Sequence, residues 1–106
     1  MSKDDKFQAK SLGITELQSR LAALRQKTYV ELAVLPEVET DNLKSGKYEV
    51  KLTTYRDSLE DGGLQIVVQW YFHIRLGIGR IGADGFTMSR GGTTRDLEEK
   101  DLYDFT

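Results

Sequence analysis

Between Leu64 and Leu76 every second residue is large and apolar: Leu64, Ile66, Val68, Trp70, Phe72, Ile74 and Leu76. The residues between them, Gln65, Val67, Gln69, Tyr71, His73 and Arg75, are mostly polar or aromatic. A repeat of two belongs to an extended strand, whose successive side chains point to opposite faces. The strand therefore has an apolar wall on one side and a polar-aromatic face on the other. Lys47 to Asp57 alternates in the same way, with Tyr48, Val50 and Leu52 as its apolar set. A short glycine-containing loop, Leu59-Glu60-Asp61-Gly62-Gly63, joins the two runs, so they predict a long antiparallel hairpin over about 47–57 and 64–76. Among the registers that keep the apolar faces together, the predicted one sets Leu52 opposite Trp70, Val50 opposite Phe72, Lys51 opposite Tyr71 and Glu49 opposite His73; shifts of two residues preserve the faces equally well.

A hairpin alone leaves its wall in water and is marginal. The best cover in the sequence is the stripe Ile14, Leu17, Leu21 and Leu24, on a helix predicted from Thr15 to Lys27 with Thr15 and Gln18 as its capping pair. Tyr29, Val30 and Val34 favour a first strand over Thr28 to Leu35, which Pro36 ends. Glu37 to Gly46 is acidic and rich in turn formers, and reads as a loop. Past Leu76, Asp84-Gly85 signals a turn and Phe86 to Ser89 a short strand. Asp96 with Glu99 three residues on reads as the start of a short C-terminal helix over Leu97 to Phe105. The expected fold is α+β: an antiparallel sheet of three to four strands, an N-terminal helix packed on its apolar face and a short C-terminal helix. Residues 1–12 are expected as a flexible arm and 13–106 as a single domain.

Net charge is only -2, yet its distribution is uneven. Residues 1–27 carry +3, 28–66 carry -4, 67–95 carry +3 and 96–106 carry -4. Such blocks either neutralise one another within the fold or meet partners of opposite sign. There is no cysteine, which removes disulfides, thiolate nucleophiles and sulfur-ligated metal. The apolar runs are far too short to span a bilayer, and the charged N-terminus is not followed by the apolar stretch of a secretory signal. The expected location is cytoplasmic, with no membrane contact.

Candidate chemistry is sparse. Gly77-Ile78-Gly79-Arg80-Ile81-Gly82 matches the glycine pattern of dinucleotide sites, but Asp84-Gly85 interrupts before a helix can begin, so bends or bulges explain the glycines better. A single His73 cannot form a histidine metal cluster, and no nucleophile–base pair stands out, so no catalytic, metal or cofactor site is expected. Arg80, Arg90 and Arg95 lie in or beside glycine-rich turns, where guanidinium forks and free amides suit anions. Tyr55, Tyr71, His73 and Arg75 combine stacking surface with charge on the polar sheet face. These seven residues are the candidate binding set. The expected role is a non-catalytic module that recognises another protein or a second copy of itself, with anion or single-stranded nucleic-acid binding through Arg75, Arg80, Arg90 and Arg95 as the alternative.

Overall fold

The computed structural model describes residues 3–45, 48–73 and 79–98. Two helices, α1 (Lys3–Arg25) and α2 (Tyr29–Ala33), precede five strands: β1 (Val38–Ser45), β2 (Tyr48–Ser58), β3 (Leu64–His73), β4 (Gly79–Met88) and β5 (Thr94–Asp96). The strands form one antiparallel meander in the order β1-β2-β3-β4-β5, and α1 packs on one face. The class is α+β as expected, with five strands instead of three to four.

The central hairpin adopts the predicted register among those that keep the apolar faces together. Leu52 pairs with Trp70, Val50 with Phe72 and Lys51 with Tyr71. On the helix side, Val50, Leu52, Leu64, Ile66, Val68, Trp70, Phe72, Phe86 and Met88 are all buried, beneath Ala9, Leu17, Leu21 and Leu24 of α1. Phe72 meets Tyr48 edge-on at 5.0 Å and lies nearly parallel to Trp70 at 6.0 Å.

The stripe on α1 differs by one position from the predicted one. Ile14 is exposed, and Gly13 takes the inward place. The cause is Trp70. A Cβ on Gly13 would fall 2.5 Å from indole Cδ2 and Cε3, and one on Gly82 of β4 would fall 2.8 Å from Cε2. The indole thus lies in a slot walled by two glycines, one from the helix and one from the sheet. This gives the last glycine of the dinucleotide-like pattern a packing role.

Five further expectations change. The helix begins at Lys3, not Thr15, and Ala9 is fully buried, so residues 3–12 belong to the packed helix and not to a loose arm. Residues 29–33 are helical, not extended. Thr28 accepts a hydrogen bond from the Glu31 amide while the Glu31 carboxylate accepts one from the Thr28 amide, a capping box that starts α2. The acidic 37–46 segment is mostly strand β1, and β4 runs unbroken through Asp84-Gly85. Asp96 closes β5 instead of capping a helix; residues 99–106, most of the predicted terminal helix, lie outside the described residues.

The cap has a titration signature. Hydrogen bonding from the Thr28 backbone and then its side chain holds the Glu31 carboxyl below its usual range. A lowered pKa means that the stabilisation is present above the unfolded value and is lost as pH falls through the folded one. Thr28→Ala is expected to cost about 1 kcal/mol in urea unfolding. A Glu31 carboxyl resonance that titrates at or above the ordinary glutamate value would contradict the box.

Candidate functional site

Two hairpin turns of the same construction lie at one end of the sheet. In Leu59–Gly63 the Leu59 amide donates to the Gly63 carbonyl at 2.8 Å, and in Ser89–Thr93 the Ser89 amide donates to the Thr93 carbonyl at 2.9 Å. Each turn has its fourth residue, Gly62 or Gly92, at positive φ (88° and 91°), where a side chain would be strained. The Arg90 guanidinium rests on Gly62: a Cβ there would fall 2.8 Å from Cζ. Tyr29 of α2 donates its hydroxyl to the Gly62 carbonyl. The two turns and the start of α2 are therefore locked together.

Between the Arg25–Val30 segment and the β4–β5 turn opens a cleft of about 530 Å³. Arg25 from the end of α1, Lys27 from the α1–α2 link and Arg90 from the β4–β5 turn bring three cations to it. Tyr29, Val30 and Met88 supply apolar surface, and Thr28, Thr94 and Gly91-Gly92 complete the lining. None of these lining residues is acidic. Val30 is 71% exposed although it is aliphatic. Arg25 is held in two ways: its guanidinium lies 5.0 Å above the Phe86 ring, and its Nη2 is 2.8 Å from Oδ1 of Asp96.

The candidate residues read from the sequence distribute differently. Arg90 is part of the cleft. Arg95 pairs with Thr87 on the sheet face away from α1, where it lines a second cleft of about 280 Å³ with Asp61, Ser89 and Thr93. Arg80 pairs with Phe72 near the far end of β4. Eight residue steps along β4 separate it from Met88, a distance of about 27 Å at the usual rise. Arg75 lies outside the described residues, and only the backbone of His73 and Arg80 is described. Arg80 thus stands apart from Arg90 and Arg95. Tyr55 pairs with Val67 and Tyr71 with Lys51 on the face away from α1, where both tyrosines are half-buried. Between them Val67, Gln69 and Thr53 are buried, and Leu97 Cδ1 crosses this face within 3.1 Å of where a Cβ on Gly85 would stand.

Arg25 and Lys27 escaped the sequence reading because they sit at the end of a helix, far along the chain from any glycine-rich turn. The capping box of Thr28 and Glu31 was the available signal, since it turns the chain at Lys27 and aims that segment at the β4–β5 turn. Comparison with family models, curated proteins and solved structures returns no match.

Proposed function

We propose that this protein is a non-catalytic interaction module of the cytoplasm that recognises another protein, and that the cleft at the turn end of the sheet takes an acidic partner segment carrying an apolar side chain. The observation that carries this reading is the convergence of Arg25, Lys27 and Arg90, from three separate stretches of chain, around an apolar floor. Like charges brought together repel; Asp96 already answers Arg25, and an incoming anion would relieve the repulsion further. The exposed Val30 with Tyr29 and Met88 adds a surface that a bare inorganic anion would leave wet. The rim gives orientation and rate, and burial of the partner's apolar group gives affinity.

Single-stranded nucleic acid is the second reading, because Arg90 and Arg95 border the same end of the sheet and Tyr55 and Tyr71 offer rings. Its support is weaker, since Arg80 stands far from this end and the rings flank a buried strip. Phosphate binding scales with the number of cations engaged together.

A titration of the isotope-labelled full chain distinguishes them. The probes are a blocked Asp-Leu-Glu-Phe-Asp peptide, its Asn/Gln counterpart and a short oligothymidylate at one salt concentration. The acidic peptide is expected to shift the amides of Arg25, Lys27, Val30 and Gly91-Gly92, and Arg90→Ala to weaken it by roughly tenfold. Larger shifts with the oligothymidylate, extending to Tyr55 and Tyr71, would favour the nucleic-acid reading. Silence at the cleft with every probe would sink both.

A further inference from the structure

We infer that Asp96 is a resident mimic of the ligand's carboxylate, so that the acidic group of an incoming segment replaces it on Arg25 and loosens β5 as it binds. This rests on the reading of the cleft given above. The cleft already displays one act of carboxylate recognition: Asp96 Oδ1 sits 2.8 Å from Arg25 Nη2, while the guanidinium is also braced on the Phe86 ring at 5.0 Å. The Asp96 side chain is 78% exposed, and the ion pair uses one of its oxygens. Surface pairs of this kind are weak and salt-screened, so a carboxylate that also gains contacts from Lys27, Arg90 and an apolar neighbour outcompetes it.

Displacement has a structural price because of where Asp96 stands. It is the last residue of β5, a strand of three exposed residues at the sheet edge, paired Phe86 to Asp96, Thr87 to Arg95 and Met88 to Thr94. Beyond it the Leu97 amide donates to the Gly85 carbonyl at 3.3 Å, a long bond. The Arg25–Asp96 pair is a side-chain tie from α1 to this strand. Exchanging the internal carboxylate for an external one therefore couples occupation of the cleft to the hold on β5 and on the chain leaving it, and the coupling is reciprocal.

Two readouts on the full chain test this, with the same Asp-Leu-Glu-Phe-Asp peptide as the probe. Asp96→Asn removes the competitor without touching the core and is expected to bind the peptide about two- to fivefold tighter, while Asp96→Glu stays near wild type. Saturating peptide is expected to speed amide exchange at Arg95 and Leu97, whose N–H groups face β4, in wild type; in Asp96→Asn exchange is already fast and changes little. Tighter binding by Asp96→Asn with no change at β5, or unchanged affinity, or slower exchange at β5 on binding would each overturn the mimic while leaving the cleft in place. No binding by either wild type or Asp96→Asn removes the cleft as well.

Discussion

Trp70→Ala is expected to cost about 3–5 kcal/mol in urea unfolding, the range for deleting a large buried aromatic. The indole is 5% exposed, lies parallel to Phe72 and fills the slot between Gly13 and Gly82. The slot makes a sharper claim than the cavity. Glycine to alanine inside a helix ordinarily stabilises by about 1 kcal/mol. At Gly13 the sign is expected to reverse, because the new methyl meets a rigid ring held from behind by the sheet, and overpacking costs about 1–3 kcal/mol. Gly82→Ala should behave alike from the other side. In the Trp70→Ala background both glycine substitutions lose their penalty, and Gly13→Ala turns favourable. The double-mutant cycle reads this coupling directly. Far-UV circular dichroism must follow the unfolding, since Trp70 is the only tryptophan. A cycle in which the three substitutions simply add would remove the slot from the account of this fold.

Gly85→Ala is expected to cost about 3 kcal/mol, at the upper end of overpacking, and to do so through backbone. A Cβ at Gly85 would run into the Ile66 carbonyl oxygen and stand 3.1 Å from the Val67 α-carbon, both on the neighbouring strand. A side chain can swing aside; a laddered strand cannot without parting from its neighbour. The same methyl would press on Leu97 Cδ1, so the Gly85 carbonyl bond from the Leu97 amide should loosen too. Hydrogen exchange at Val68, whose amide faces β4, and at Leu97 reports both effects. Gly91→Ala is the matched control. Its Cβ would meet only Ser89 Oγ at 3.9 Å, so stability should stay within about 0.5 kcal/mol of wild type. Equal losses at the two sites would mean that the close approach at Gly85 is not what sets the cost.

How much of this could be read from residue order depends on what carries each element. The β2–β3 hairpin was legible because alternation over ten residues puts Leu52, Trp70, Val50 and Phe72 on one side, and the observed pairing is the predicted one of the registers, two residues apart, that this permits. β1 and β5 were not, because they are edge strands. Glu39, Asp41 and Lys44 give β1 the charged look of a loop, which is also what discourages a free edge from pairing with other chains. α2 was misread because Tyr29, Val30 and Val34 suggest a strand, whereas the Thr28 and Glu31 cap decides the matter locally. Gly82 and Gly85 looked like punctuation and turned out to be clearance, a distinction that depends on Trp70 and Val67 across the ladder. The cleft was half-visible. Arg90 was legible from its turn, but Arg25 and Lys27 join it only through the three-dimensional path of α1.

The seating of Arg90 on Gly62 has an effect that reaches beyond either turn. A cation at the mouth of the cleft owes its position to a bare α-carbon in another hairpin, one that contributes nothing to the lining. Gly62 is thus committed twice, once by its own left-handed backbone and once as the floor under a neighbour's guanidinium. Drift at that single position would reshape what the module can grip while every gripping residue stayed the same.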